Sequence, residues 1–208
     1  FRSNETNGEG ILPTPAIGGV GLLRDVTKMA TVPFKREGDV VIVIGETKGH
    51  LGQSIYLREI EGREEGPAPK VDLALEKKHG DFVRGLIEQG RVDTCHDVSD
   101  GGLLVAVAEM AMASGIGASI GLAGLPDAIA FWYGEDQARY CLAAPFEEAE
   151  KIVEEARAAF IAVAELGRTG GDRLVLEDSD SIAVSDLTAA HENWLPNFMS
   201  GEEIPMTN

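Results

Sequence analysis

The chain has 208 residues, enough for one sizeable core, and its 44% hydrophobic and 25% charged residues are ordinary for a globular protein and argue against general disorder. Eighteen Lys and Arg against 35 Asp and Glu leave a net charge of −17, which argues against non-specific binding to nucleic acid or to an anionic membrane. No apolar run is long enough to span a bilayer and no signal-peptide pattern opens the sequence, and the two cysteines, which read as reduced thiols, make a cytoplasmic protein the expectation.

The sequence opens on Phe1 instead of a methionine, followed by the polar, turn-like Asn4-Glu5-Thr6-Asn7-Gly8, and reads as a piece of a longer protein. Two prolines in Ile11-Leu12-Pro13-Thr14-Pro15 remove backbone donors and fix φ, which makes an extended connector. Ile17 to Leu23 carries three glycines among apolar residues and suggests an edge or closely packed strand. Val40 to Ile44 is a continuous β-branched run ended by Gly45, the strongest buried strand in the chain. Glu46 to Gly52 follows as a glycine-containing loop, Ser54 to Ile60 has no clear period, and Glu61 to Pro69 is a solvent loop. Between Val71 and Gln89 helical spacing is clear from Phe82 onward, and Gly90 stands where a helix-ending glycine belongs.

Val92 to Cys95 reads as a short buried strand, and Leu103 to Ala113, apolar except at Glu109, as a buried helix. Ala118 to Leu122 and Arg139 to Ala144 are strand-like. Pro145 starts a helix to about Ala159, with Glu147, Glu148 and Glu150 placed to oppose the macrodipole. Phe160 to Leu166, Arg173 to Glu177 and Ile182 to Val184 read as strands, and a final helical stretch, Leu187 to Phe198, is interrupted at Pro196. Clustering of short strands near the end favours a mixed-sheet α+β domain over a doubly wound parallel one.

One stretch carries the densest chemistry. In His96-Asp97-Val98-Ser99-Asp100-Gly101-Gly102, two glycines and a hydroxyl between carboxylates sit where a strand turns into the apolar helix. Free N–H groups at a helix start, approached closely over Gly101 and Gly102, favour an anion. The flanking carboxylates repel a bare phosphate, so a Mg²⁺ or a basic residue would have to bridge it, with Asp97 or Asp100 as metal ligand. Equally, Ser99 or Asp100 does no more than cap the helix, a role worth about 1 kcal/mol. His96 is expected to be a packed, hydrogen-bonded histidine. Cys95 and Cys141 lie in apolar runs and should be reduced, buried thiols, and no H-x-x-x-H or C-x-x-C spacing supports zinc.

The motifs His96-Asp97-Val98-Ser99-Asp100-Gly101-Gly102-Leu103, Asn4-Glu5-Thr6-Asn7-Gly8, Ile11-Leu12-Pro13-Thr14-Pro15-Ala16-Ile17-Gly18 and Gly134-Glu135-Asp136-Gln137-Ala138-Arg139 occur in one order. Together they resemble the large synthetase subunit of the phosphoribosylformylglycinamidine synthase family. That family has two tandem copies of a unit shared with aminoimidazole ribonucleotide synthetase. The resemblance implies a remnant strand and connector of a preceding N-terminal half at 1–33. It further implies a C-terminal domain at 34–208, an α+β, three-layer α/β/α fold of the aminoimidazole ribonucleotide synthetase type with a mixed sheet.

The family reaction is an ATP-dependent carbon–nitrogen ligation in purine biosynthesis. It turns formylglycinamide ribonucleotide and glutamine-derived ammonia into formylglycinamidine ribonucleotide. Implied cofactors are ATP or ADP and Mg²⁺; implied partners are the rest of the synthetase chain, a glutaminase subunit and a small accessory subunit. The family's substrate-binding Glu-Ser-Gln triplet corresponds in the second copy to Glu135-Asp136-Gln137, with Asp for Ser. Nucleotide or substrate contacts are therefore expected at Asp97, Ser99, Asp100, Gly101, Gly102, Glu135 and Gln137. Gly49-His50-Leu51-Gly52-Gln53-Ser54 resembles a family loop that would wall the same cleft. The family's Gly-Asn-Val-Ser stretch and its catalytic histidine are not reproduced, so no catalytic residue is expected here and the chain alone should be inactive. The alternative is a structural nucleotide-binding and interface module of another member of the superfamily.

Overall fold

A computed structural model describes residues 5–6, 9–10, 16–122, 125–177 and 179–201. Glu5–Thr6 (β1) and Glu9–Gly10 (β2) pair as a short antiparallel ladder. The proline connector at Ile11 to Pro15 lies outside the described residues. Seven strands then build one mixed sheet: Val40–Ile44 (β3), Thr94–Asp97 (β4), Ala118–Ile120 (β5), Tyr140–Ala144 (β6), Val163–Thr169 (β7), Arg173–Leu176 (β8) and Ser181–Ala183 (β9). Their order is β4-β6-β3-β7-β5-β8-β9, with β5 and β8 parallel and the other pairs antiparallel.

The sheet is covered on both faces, which explains why β3 is apolar throughout. Val41 and Val43 point to one side, into a core with Leu103, Val107, Met110, Trp132 and Val184. Val40, Ile42 and Ile44 point to the other, against Val83, Leu86, Ile152 and Val153. The first layer comprises helices Gly102–Ser114 (α3), Ala128–Tyr133 (α4) and Val184–Ser200 (α6). The second comprises Leu73–Glu88 (α2) and Phe146–Ala158 (α5). A short helix, Ile55–Glu59 (α1), lies in the connection between β3 and α2. The expected three-layer α+β arrangement is therefore the observed one.

Several local expectations change. Ile17 to Leu23 is not a strand: Ile17, Val20 and Leu22 are exposed, and a Cβ on Gly18, Gly19 or Gly21 would meet nothing within 4 Å, so no backbone packs against it. The α2 helix begins well before Phe82, because Asp72 caps it by accepting from the N–H groups of Ala74 and Leu75, both at 3.0 Å. Gly90 does end it with φ of +72°. Pro196 does not interrupt α6, which continues to Ser200; proline's φ suits a helix, and the carbonyl it leaves free, four residues back on Glu192, belongs to an exposed residue.

Two ion-paired straps tie connecting segments down, one between the segments before β3 and β4 and one from the α2–β4 connection to α5. Arg36 donates to Asp93 Oδ2 and Oδ1 at 2.8 and 3.0 Å and to Asp39 Oδ2 at 3.1 Å. Arg91 donates to Glu148 Oε1 at 2.5 Å and to both oxygens of Glu155. Cys95 and Cys141 are free thiols; they lie on adjacent strands but belong to opposite core faces. Burial pushes the Cys95 thiol up to about 12 and raises that of Cys141 further, so both are poor nucleophiles. No described helix is long and apolar enough to cross a membrane.

Candidate functional site

Antiparallel pairing brings three loops to one end of the sheet. Ile44, the last residue of β3, sits opposite Tyr140, the first of β6, and Tyr140 in turn sits opposite Asp97, the last of β4. The segments that leave or enter there are 45–54, 98–101 and 134–139, which contain the Gly49–Ser54 loop, the middle of the His96–Gly102 turn and the Gly134–Arg139 stretch.

Glu135 joins two of them. Its Oε1 accepts from the Gly101 N–H at 2.8 Å and from the Ile55 N–H at 2.7 Å, while its own N–H donates to His50 O at 2.8 Å. The anion at the start of α3 is thus a side chain of the protein itself. Gly102 donates its N–H to Ser99 O, so the second glycine is also engaged. Both glycines have positive φ, and a Cβ on Gly102 would lie 2.6 Å from the Tyr133 carbonyl carbon, which accounts for the double glycine by packing against α4.

Asp136 does the same for the third loop. Its Oδ2 accepts from the N–H groups of Lys48 at 2.9 Å and Gly49 at 2.8 Å, with a longer contact to that of His50 at 3.4 Å. Gly49 has φ of +78° and packs on α4, where a Cβ would be 2.7 Å from that of Ala130. Behind both acids lies Arg139, only 2% exposed, which donates to the carbonyls of Asp136 at 3.1 Å and Gly134 at 2.5 Å and to Thr47 Oγ1 at 3.1 Å. Burial lowers the Arg139 pKa, opposed by the nearby charges of Asp136 and Glu135. His79 of α2, also 2% exposed, donates from Nδ1 to Ala138 O at 2.7 Å. The loop pays for this anchoring with a strained residue, since Ala138 has φ of +60°.

Beside Asp136 opens a cleft of about 480 Å³ lined by Glu46, Lys48, His50, Lys70, Asp72 and Gln137 among others. Gly49 and His50 of the Gly49–Ser54 loop line it together with Asp136, Gln137 and Ala138, but the His96–Gly102 turn does not, so this is not the shared cleft that was expected. Gln137 is exposed there. Asp97, Ser99 and Asp100 are exposed too, but do not line this cleft. Neither Ser99 nor Asp100 caps α3: the N-cap is Gly101, with no side-chain cap bond, because its left-handed φ of +77° and the Glu135 carboxylate have taken over that position. His96 is hydrogen-bonded as expected, with Nε2 2.8 Å from Glu109 Oε2 and Nδ1 3.3 Å from Asp97 Oδ1.

The Gly101 and Gly102 donors of the turn are already engaged, so the nucleotide and Mg²⁺ that the resemblance implies would be held there by the exposed Asp97, Ser99 and Asp100 side chains. Among the described residues no three His, Cys, Asp or Glu side chains gather to hold a metal. Arg139, His79 and the seating of Asp136 were not foreseen. A cation between a polar triplet and a strand looks like any surface arginine until the fold buries it.

Residues 36–179 match the family described as AIR synthase related protein, C-terminal domain, and the chain belongs to that family. It is 54% identical over 201 residues to phosphoribosylformylglycinamidine synthase subunit PurL of Bradyrhizobium sp. (strain ORS 278), covering 95% of this chain and 27% of that protein. To the same subunit of Sinorhizobium medicae it is 52% identical over 205 residues, covering 97% and 28%. The chain thus spans about a quarter of the length of the curated relatives it matches. Among solved structures, Thermotoga maritima PurL complexed with FGAR superposes with a TM-score of 0.65 at 19% identity, over 78% of this chain and 30% of that one. Escherichia coli HypE does so with a TM-score of 0.52 at 19% identity, over 74% and 52%. At those identities the likeness is one of fold.

Proposed function

We propose that the chain is the C-terminal part of a PurL-type phosphoribosylformylglycinamidine synthase. In that reading it belongs to a cytoplasmic, ATP- and Mg²⁺-dependent ligase of purine biosynthesis that joins glutamine-derived ammonia to formylglycinamide ribonucleotide, forming the amidine. The observation that carries the proposal is identity above 50% over nearly the whole chain with curated PurL subunits. Structures of Thermotoga maritima PurL with ATP and of the PurLQS assembly support nucleotide use and subunit partners for the whole enzyme, which we read as a glutaminase and a small accessory subunit.

Within that enzyme the chain frames a site and does not carry the bond-making groups. The Gly101 and Gly102 donors at the start of α3 are engaged internally, whereas Asp97, Ser99, Asp100 and Gln137 keep exposed side chains for contacts to substrate, nucleotide or the rest of the synthetase. Glu135 is the clasp between α3 and the loop before α1.

The parent protein, given ammonia, ATP, Mg²⁺ and formylglycinamide ribonucleotide, should form the amidine product by mass spectrometry, and the 208-residue chain alone should not. A parent without turnover, or a chain that turns over by itself, would overturn the assignment.

A further inference from the structure

The cleft beside Asp136 combines features that normally attract an oxyanion. Consecutive N–H groups of Lys48, Gly49 and His50 converge on one point, and Lys48, His50 and Lys70 line the same space, the His50 ring being bonded to Pro67 O at 2.9 Å. Convergent backbone donors of this kind form an anion-binding concavity. Here the point of convergence is filled by Oδ2 of Asp136, a residue only 7% exposed.

The carboxylate is held there from behind as well as in front. Arg139 grips the Asp136 carbonyl, and His79 holds the Ala138 carbonyl two residues on, so the loop that carries the carboxylate is anchored. The other carboxylates of the cleft are committed elsewhere: Asp72 caps α2, and Glu46 lies 3.3 Å from Lys48. Asp136 is therefore the one that occupies the backbone donors.

We propose that Asp136 is a built-in anion that closes this cleft to oxyanionic ligands, and so sets its ligand selectivity. With it in place, an incoming phosphate meets a fixed negative charge and no free backbone donor. Without it, three N–H groups and two lysines face an open cavity. The inference concerns this chain's own cleft and does not depend on the reaction proposed above.

The test uses inorganic phosphate as probe with the 208-residue chain as wild type, Asp136→Ala and Asp136→Asn. Asp136→Ala should bind phosphate at least about tenfold more tightly than wild type by calorimetry, as expected when charge-assisted bonds become available. The amide resonances of Lys48, Gly49 and His50 should move with the titration in that variant and stay still in wild type. Asp136→Asn leaves an oxygen on the same donors but removes the charge, and should fall between wild type and Asp136→Ala. If Asp136→Ala does not fold in ordinary buffer, its recovery on refolding should rise with added phosphate or formate, which replace the missing anion. Phosphate binding by wild type equal to that of the Ala variant, an Ala variant that neither binds phosphate nor is rescued, or an Asn variant that binds phosphate more tightly than the Ala variant would each overturn the proposal.

Discussion

The β3 strand and the loop from Gly134 to Arg139 lie end to end in the molecule and are both buried, yet they are held by opposite physics. Val40 to Ile44 offers no polar side chain, and its stability comes from apolar area removed from water on two faces. The loop offers Glu135, Asp136 and Arg139, and its burial is tolerable because each polar group finds a partner: the two carboxylates take backbone N–H groups from neighbouring loops, and Arg139 satisfies carbonyls. Among the described residues no buried side-chain nitrogen or oxygen is left without a hydrogen bond. The strand can change residue by residue at a graded cost. A polar network fails in larger steps, since removal of one member strands the rest.

The sharpest tests set the two regions against each other. Ile42→Ala in the strand should cost about 4 kcal/mol of unfolding free energy in denaturant titration, as for a fully buried aliphatic truncation. Arg139→Met keeps much of the side-chain volume but strands the Gly134 and Asp136 carbonyls; it should cost about 3 kcal/mol and, unlike Ile42→Ala, raise amide exchange at Lys48 and Gly49 more than in the core strands. A cost under about 1 kcal/mol there would mean water replaces the guanidinium, and the contrast would collapse. Gly102→Ala, which introduces a Cβ against Tyr133 at a positive φ, should cost about 2 kcal/mol by the same measurement.

Smaller effects separate surface chemistry from both regions. The hydrogen bonds from Arg36 are the main cause that holds the Asp93 carboxyl below its usual range. The stability it contributes is present above the unfolded-state value and is lost as pH falls through the folded one. Asp93→Asn should therefore lower stability at neutral pH and make the acid limb of the stability curve shallower. Burial raises the Asp39 pKa next to it, an effect of the opposite sign, and because Asp39 also feels the Asp93 charge and shares Arg36, the Asn variant reports on the pair. Smallest of all, Ser99→Ala should change stability by less than about 0.5 kcal/mol, because Ser99 is exposed and caps nothing. A loss near 1 kcal/mol would restore the capping role.

What could be read from the sequence was the part set by local periodicity and by the motifs. Unbroken β-branched character at Val40 to Ile44 forces a strand covered on both sides, the apolar stretch behind Gly102 forces a buried helix, and together they imply the layered α+β domain. The motif order also pointed to the family. Sequence could locate the His96 to Gly102 turn and the Glu135-Asp136-Gln137 triplet as the chemical centre, but not what each residue does there. That was decided by strand register, which sets Ile44, Tyr140 and Asp97 side by side and so delivers Glu135 to the start of α3 and Asp136 to the N–H groups of Lys48 to His50. Only the tertiary structure could show this, because a carboxylate that answers backbone donors more than thirty residues away leaves no periodic trace in the chain.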